Sequence, residues 1–256
     1  MPARPTFVDK PVWVDLSSPD PDGSRSFYSK LFGWKIEVNP APQYGGYSMA
    51  ELDGGRVAGI GPKMMPEAPT AWSVYIGTDD ADDLARRVEA AGGSVVAAPM
   101  TVGDQGRMAV FADPTGAIIA AWQPISMAGF SSGVAGSFGW AELNARGFER
   151  ALAFYGTVFG WKPLPSPMPD GTTYTQFMIG EEMIAGGMEM NPMIPPNVPG
   201  YWMAYFAVAD VDAAFAKALA AGAREMLAPQ DAPGLRYAIL ADPQGATFGL
   251  LSLQSA

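Results

Sequence analysis

The chain has 256 residues, with 16 Lys or Arg against 26 Asp or Glu, and a formal net charge of −10. This acidic balance argues against nucleic acid or an anionic membrane as a partner. No apolar run approaches the roughly 20 residues that span a bilayer, and the N-terminus contains no apolar leader segment. We therefore expect a globular cytoplasmic protein with no membrane association.

The chain contains neither His nor Cys. Disulfides, thiol nucleophiles, imidazole bases and the usual ligands of zinc, nickel and non-haem iron are therefore excluded. Any metal would have to be held by oxygen atoms, and no acidic loop resembles a calcium site. A Ser-His-Asp triad is impossible, and neither a P-loop nor a dinucleotide fingerprint is present.

The first elements in chain order alternate between strand and helix. PVWVDL has the period-two pattern of a strand, and the apolar stripe of DGSRSFYSKLFG predicts a helix that ends at Gly33. Two short strands follow, YSMAEL and RVAGIG, and then the Pro- and Met-rich connection GPKMMPEAPTA. A second round begins at once with the strand WSVYIGT and the helix DDADDLARRVEAAGG. It closes with strands MAVFA and AIIAAWQ around the turn DPTG, so the half predicts two βαβββ units.

The second half repeats this order. WVDLSSPDPDGSRSFYSKLFGW from Trp13 returns as WAELNARGFERALAFYGTVFGW from Trp140, and the second strand and helix return 130 residues later, from Trp72 to Trp202. Such offsets along the whole chain indicate a tandem duplication. We predict one domain over 1–124, a small-residue linker over 125–137 and a second domain over 138–256. The Pro-rich segment Asn191–Gly200 is either a stiff connector or a lid over a cavity.

These elements resemble the vicinal oxygen chelate superfamily, which covers glyoxalase I, extradiol dioxygenases and bleomycin-resistance proteins. The resemblance rests on the paired βαβββ units, the helix ending FYSKLFGW and the DPTG hairpin, and it extends over nearly the whole chain twice. More narrowly, the chain resembles tandem-domain actinobacterial members labelled hydroxylase or 27-kDa antigen. The resemblance implies an α+β fold, with two tandem glyoxalase-like domains and four βαβββ units forming curved mixed sheets around clefts. It also implies an intrachain pseudo-dimer.

The metal-dependent members of that superfamily take His, Glu or Gln ligands from the first, fourth, fifth and last strands of a domain. The matching positions here are Trp13, Gly59, Ser73 and Ala120 in the first copy, and Trp140, Gly186, Met203 and Gly249 in the second. Only Ser73 could bind a cation through its side chain, and weakly. We therefore expect no metal and no cofactor.

Strand alternation predicts which other side chains share the cavity face with these positions. They are Asp15, Tyr75 and Trp122 in the first copy, and Glu142, Tyr205 and Leu251 in the second. A bulky aromatic at a ligand position suggests a stacking wall for a planar or apolar guest. The alternative is a closed cavity, in which these rings are ordinary core.

A carboxylate aimed into a curved sheet costs several kcal/mol unless it is paired or hydrogen-bonded. Asp15 and Glu142 therefore require partners, and the equivalent residues Arg107 and Arg236 are predicted to provide ion pairs or to contact a ligand. Alternatively, Asp15 or Glu142 acts as a general base and Tyr75 or Tyr205 as the acid.

The first functional hypothesis is metal-independent binding of an apolar or aromatic small molecule, such as an antibiotic or polyketide, by Trp13, Ser73, Trp122, Trp140 and Met203, in the manner of drug sequestration. The second is a metal-free accessory hydroxylase, lyase or isomerase of secondary metabolism. An all-oxygen metal site and a simple interaction module are further alternatives. Whether the chain is an enzyme stays open at this point.

Overall fold

The computed structural model describes residues 6–168 and 170–253. The chain contains sixteen strands and four α-helices in these residues, in the order of four successive βαβββ units. The bounds in the first repeat are β1 (Pro11–Ser18), α1 (Pro21–Phe32), β2 (Lys35–Val38), β3 (Ser48–Leu52), β4 (Gly55–Pro62), β5 (Ala71–Gly77), α2 (Ala81–Ala90), β6 (Ser94–Val102), β7 (Gly106–Ala112) and β8 (Ile118–Pro124). Those in the second repeat are β9 (Phe138–Ala145), α3 (Phe148–Phe159), β10 (Lys162–Pro167), β11 (Thr173–Ile179), β12 (Glu182–Glu189), β13 (Tyr201–Ala207), α4 (Val211–Ala220), β14 (Arg224–Ala232), β15 (Leu235–Ala241) and β16 (Thr247–Leu253).

The helix ends follow from local sequence. At α1 the Asp20 side chain accepts a hydrogen bond from the Gly23 amide, Pro21 occupies the first turn, and Gly33 takes a left-handed conformation with φ 78° at the C-cap. The second copy has Gly147 at the N-cap of α3, with no capping side chain of its own. The carboxylate of Glu189, at the end of β12, accepts from the amides of Gly147 and Phe148 instead.

Each repeat forms one mixed eight-stranded sheet. The strand orders are β2-β3-β4-β1-β5-β8-β7-β6 and β10-β11-β12-β9-β13-β16-β15-β14. The parallel pairs are β1–β4 and β5–β8 in the first sheet, and β9–β12 and β13–β16 in the second. The outer hairpins of both sheets are antiparallel. The structure therefore confirms the predicted α+β class and the two tandem glyoxalase-like domains.

The two compact units of the structure do not coincide with the two sequence repeats. The first unit comprises Met1–Trp13, Val74–Gly129 and Ala141–Trp202, and the second comprises Val14–Ser73, Phe130–Trp140 and Met203–Ala256. Each unit thus combines part of the first repeat with part of the second. The predicted domain boundaries at 124 and 138 stay a prediction about sequence organisation.

A buried tyrosine links the two repeats inside each unit. In the second unit the Tyr28 hydroxyl donates to Asp242 at 3.0 Å and accepts from the Trp72 indole at 2.9 Å. Asp242 belongs to the DPQG turn of the second repeat and also accepts from the Gln244 and Ala246 amides. A phenol and a carboxylate from different repeats thus satisfy each other in the aromatic core.

The first unit contains the equivalent network. There Tyr155 donates to Asp113 of the DPTG turn at 3.0 Å and accepts from the Trp202 indole at 2.7 Å. Burial is the main cause that raises the pKa of Tyr28 and of Tyr155 well above the ordinary tyrosine value, with the nearby Asp charge as the second cause. The pKa of Asp242 is also raised, because burial disfavours its charged form. These residues are structural.

Candidate ligand site

The predicted carboxylate Asp15 lies near the middle of the first sheet. β1 and β4 are parallel, and Asp15 is the Cα partner of Gly59. Its side chain is half-buried and accepts a hydrogen bond from the Tyr47 hydroxyl over a long 3.3 Å. We call Asp15, Tyr47, Gly59 and Gly61 the Asp15 site, and all four belong to the second unit.

Tyr47 occupies the space that a side chain at the fourth-strand position would need. A Cβ at Gly59 would overlap the Tyr47 hydroxyl and ring, and a Cβ at Gly61 would lie 2.9 Å from the Cδ2 atom of the same ring. The phenol therefore lies flat on two glycines beside the carboxylate. Only glycine allows this close approach of ring to backbone.

The second repeat builds the same arrangement within the first unit. Glu142 on β9 is the Cα partner of Gly186 on β12. A Cβ at Gly186 would overlap the Tyr174 hydroxyl. Both Glu142 and Tyr174 are half-buried. The buried Asn144 donates to the Glu142 carboxylate at 3.0 Å. Tyr201 begins β13, two residues before Met203, so strand alternation puts it on the face predicted to line the cavity. Burial raises the pKa of Tyr201, and the Glu142 charge adds to this shift. We call Glu142, Asn144, Tyr174, Gly186 and Tyr201 the Glu142 site.

Sequence reasoning missed Tyr47 and Tyr174. The signal was present, because the offset of 127 residues that relates Asp15 to Glu142 also relates Tyr47 to Tyr174 and Gly59 to Gly186. The tyrosines precede or begin short strands, where they resemble ordinary strand aromatics. Their role becomes visible only when the strand pairing brings them over the glycines.

Most of the remaining predicted positions are buried. In the first unit Tyr75 is the Cα partner of Ala120, and the Trp122 indole donates to the Met127 carbonyl at 2.7 Å. Trp13 is buried in the same unit. In the second unit the Tyr205 ring covers Gly249, where a Cβ would overlap it. These tyrosines are almost fully buried, as is Met203, whereas Ser73 and Trp140 are half-buried.

The prediction that Arg107 and Arg236 pair with the two carboxylates is wrong. Arg107 pairs with Asp82, and Arg236 pairs with Asp212 and Asp231. The reason is strand alternation, because Met108 is the Cα partner of Trp122, so that Arg107, one residue earlier, projects to the other face. There it meets the acidic first turn of α2, and the equivalent Arg236 meets Asp212 in the first turn of α4. Neither arginine contributes to a carboxylate site.

The donor set does not fit the family's metal. In both repeats the fourth-strand ligand position is a glycine covered by a phenol, and the last-strand position is Ala120 or Gly249. No group of three or more His, Cys, Asp or Glu side chains within residues 6–168 and 170–253 could hold a metal ion. The Asp15 site offers one carboxylate and one phenol, and the Glu142 site offers one carboxylate, two phenols and an amide that is bonded to that carboxylate. Neither set provides the several charged or imidazole ligands that hold the family's metal.

Comparisons with known proteins agree with this fold. The family model described as the Glyoxalase/Bleomycin resistance protein/Dioxygenase superfamily matches residues 10–120 and 137–250, once in each repeat. The chain belongs to this superfamily. In the part of the chain that the structure describes, no helix is long and apolar enough to cross a membrane.

Two named relatives are similar over nearly the whole chain. CFP32 of Mycobacterium bovis, provisionally named a glyoxylase, is 41% identical over 259 residues, which cover 98% of this chain and 98% of that protein. The anthracycline biosynthesis protein DnrV of Streptomyces peucetius is 40% identical, with 95% of this chain and 93% of that protein covered.

Distant structures share the fold alone. A Mn(II)-bound glyoxalase from Novosphingobium aromaticivorans superimposes with a TM-score of 0.68 at 15% identity, over 97% of this chain and 83% of that one. The 2,2',3-trihydroxybiphenyl 1,2-dioxygenase of Sphingomonas wittichii gives a TM-score of 0.66 at 17% identity, over 96% of this chain and 90% of that one.

Proposed function

We propose that this superfamily member binds an aromatic small molecule of secondary metabolism without a metal ion, at the Asp15 and Glu142 sites. The observation that carries the proposal is the phenol that lies on glycine at the fourth-strand ligand position, next to a half-buried carboxylate. A carboxylate accepts hydrogen bonds from the hydroxyl groups of a ligand. A phenol can also accept them, and it can donate a hydrogen bond to a ligand carbonyl. The flat ring offers a stacking surface for a planar guest.

The relatives favour a polycyclic aromatic ligand. DnrV and its Streptomyces counterpart DauV, 38% identical over 261 residues, are both named for anthracycline biosynthesis. An anthracycline combines a planar ring system with phenol and quinone oxygens, which matches a site of one ring face and one carboxylate. Sequestration of such a molecule is the concrete form of the proposal. Cytoplasmic location and the lack of nucleic-acid partners stay predictions.

A titration tests the binding proposal. We would add an anthracycline aglycone to the protein in a chelating buffer and follow the aglycone's own fluorescence, for the wild type and for Asp15→Asn, Glu142→Gln and the double variant. We expect saturable binding with the chelator present and at least a tenfold loss of affinity in the double variant. Binding that requires added Mn(II), or that is unchanged in the double variant, would reject the proposal. Arg107→Ala serves as the control, because its ion pair with Asp82 lies outside the site.

A second candidate function is proton transfer, favoured by the direct contact between the Tyr47 hydroxyl and Asp15. As a metal-free isomerase, the carboxylate would take a proton from a carbon next to a ligand carbonyl, while the phenol donates a hydrogen bond to the developing enolate oxygen. The proton would return to another carbon of the same ligand, so no oxidant is needed. The roles predicted for Tyr75 and Tyr205 stay predictions.

Deuterium exchange would separate the two functions. After incubation in heavy water and return to ordinary water, which removes deuterium from hydroxyl groups, the aglycone keeps extra mass only at carbon positions. Extra mass above that of a sample incubated without protein shows that the protein removes and returns carbon-bound protons. Loss of this exchange in Asp15→Asn, with binding retained, would assign the base. Binding without any exchange would leave sequestration as the function.

A further inference from the structure

A Pro-rich segment crosses one end of β9 beside the Glu142 site. β12 and β13 lie on either side of β9 in the sheet, and Glu189 at the end of β12 is the Cα partner of Ala145 at the end of β9. The chain between β12 and β13 must therefore pass the C-terminal end of β9. We call this segment, residues 190–200, the strap. All of it belongs to the first unit, as does the Glu142 site.

Three sets of hydrogen bonds fix the strap. At its start the Met190 amide donates to the Ala145 carbonyl at 2.9 Å, and at its end the Gly200 amide donates to the Thr115 carbonyl at 3.1 Å. Between them, Arg146 donates from one guanidinium nitrogen to the carbonyls of Ile194 at 2.6 Å and Pro195 at 2.8 Å. Four of the residues from Asn191 to Gly200 are prolines, which leave the backbone little freedom between these anchors.

The strap leads directly into the Glu142 site. Its last residue, Gly200, precedes Tyr201, the first residue of β13, and β13 lies next to β9, the strand that carries Glu142. Its first residue follows Glu189. The Glu189 carboxylate caps α3 by accepting from the amides of the two residues that come directly after Arg146. The strap therefore borders the site from β12 to β13.

One polar atom of Arg146 has no partner although the residue holds the strap. Its Nε atom is buried and has no hydrogen-bond partner among residues 6–168 and 170–253. An unsatisfied buried donor typically costs about 1–3 kcal/mol. The two bonds from Arg146 to the strap carbonyls are therefore made in spite of this cost.

The Asp15 site lacks this device. The connection between β4 and β5 covers residues 63–70, three fewer than the strap, and the offset between the repeats accordingly changes from 127 to 130 across it. The position equivalent to Arg146 is Pro19, which has no side-chain donor. Met64 and Met65 in the shorter connection are 73% and 56% exposed.

We propose that Arg146 is a positioning residue that fixes the strap as a wall of the Glu142 site, and that this wall limits the size of the ligand accepted there while the Asp15 site has no such limit. The ligand in this inference rests on the proposed function, whereas the position of the strap rests on its own hydrogen bonds. Arg146 acts through the strap and does not itself need to touch the ligand.

The test compares Arg146→Ala and Arg146→Lys with the wild type, with the exposed Arg224→Ala as control. Hydrogen exchange of residues 190–200 reports the strap, and the ionisation of Tyr201, followed by NMR with ring-labelled tyrosine, reports shielding of the Glu142 site. We expect strap amides to exchange at least tenfold faster in Arg146→Ala. The Tyr201 pKa should move back toward its ordinary value, and Arg146→Lys should fall between, because an ammonium lacks the planar guanidinium.

Ligand kinetics complete the test. With Asp15→Asn in the background to isolate the Glu142 site, we expect the anthracycline aglycone to dissociate at least tenfold faster from Arg146→Ala, and a glycosylated anthracycline to gain affinity relative to the aglycone. Unchanged strap exchange and Tyr201 titration would overturn the inference, as would faster exchange with unchanged dissociation and size preference. If Arg146→Ala fails to fold, Arg146→Lys decides by the same criteria. A wild type that binds neither anthracycline would reject the proposed function, whereas exchange and titration would still decide whether Arg146 positions the strap.

Discussion

The molecule contains two kinds of tyrosine–carboxylate pair, and they differ in burial. Tyr28 with Asp242 and Tyr155 with Asp113 are fully or almost fully buried, and each phenol both donates and accepts hydrogen bonds. Tyr47 and Asp15 are half-buried, and the Tyr47 hydroxyl donates to the carboxylate over 3.3 Å. A pair in the core stabilises the fold, whereas a pair that is partly exposed can be reached by a ligand.

The largest expected effect is on stability at a buried pair. Asp242→Ala removes the acceptor of the Tyr28 hydroxyl and of the Gln244 and Ala246 amides, so we expect a loss of about 3 kcal/mol in the free energy of unfolding. Urea denaturation measures this. Asp15→Ala is the matched comparison and should cost less than about 1 kcal/mol, because Asp15 is half-buried. Equal losses in the two variants would remove the distinction between the pairs.

Alkaline pH should destabilise the folded protein through the two buried tyrosines. The pKa values of Tyr28 and Tyr155 are raised in the folded protein, so the native state keeps protons that the unfolded chain releases above about pH 10. Stability should be full below that pH and fall as pH rises beyond it, by about 1.4 kcal/mol per pH unit for each tyrosine. Urea unfolding between pH 8 and 11.5 tests this, and Tyr28→Phe should reduce the slope by one tyrosine's share. An identical slope in that variant would contradict the assignment.

Glycine at the candidate site should matter for both folding and binding. In Gly59→Ala the new methyl group overlaps the Tyr47 phenol and forces the ring to move, so we expect a loss of about 1–3 kcal/mol in stability and at least tenfold in aglycone affinity at the Asp15 site. Fluorescence titration in a Glu142→Gln background measures the affinity. Adding Tyr47→Ala removes the overlap and should restore stability without restoring binding. Recovery of both would mean that the phenol is not part of the site.

A smaller effect is expected from the hydroxyl alone. Tyr47→Phe keeps the ring on its glycines but removes the donor to Asp15, so affinity should fall by about 1 kcal/mol or less, with stability nearly unchanged because the bond is long. Calorimetric titration in the same background checks this. Tyr28→Phe is the contrasting variant, since it should lower stability and leave affinity intact.

The smallest effect is expected at the two arginines. Arg107→Ala and Arg236→Ala remove exposed ion pairs that lie away from both carboxylates, so aglycone affinity should not change and the melting temperature should shift only slightly. A clear loss of affinity in either variant would return these arginines to the site and contradict their assignment to the helix-covered face.

Much of the fold could be predicted from the sequence, because the repeat, the helix stripes and the turns are local signals. YSMAEL, RVAGIG and WSVYIGT fall on β3, β4 and β5, and the helices end where Gly33 and Gly160 predict. The sequence analysis assigned no residues to the edge strands β2 and β6. β2 is short and largely exposed, and the sequence of β6, SVVAAPMTV, is apolar at most positions, so neither has the alternation of polar and apolar residues that predicts a strand.

The site was predictable only in part. Asp15 and Glu142 could be predicted because strand alternation puts them on the same face as Trp13 and Trp140, but their neighbours Tyr47 and Tyr174 depend on strand pairing. The predicted pairing of Arg107 with Asp15 was wrong because Arg107 lies one residue away from the strand position on the face of Trp122. Neighbouring residues of a strand point to opposite faces of the sheet. The bond between Tyr28 and Asp242 joins residues 214 positions apart in different repeats, which no local pattern indicates.

Native mass spectrometry of the protein purified from its own cells, beside the same sample denatured and analysed for metals, shows whether the protein holds an organic ligand without a metal ion. We expect an organic mass that is retained in the native spectrum and released on denaturation, with no stoichiometric metal. A stoichiometric divalent cation would contradict it and would make Asp15 and Glu142 metal ligands instead of ligand-binding carboxylates.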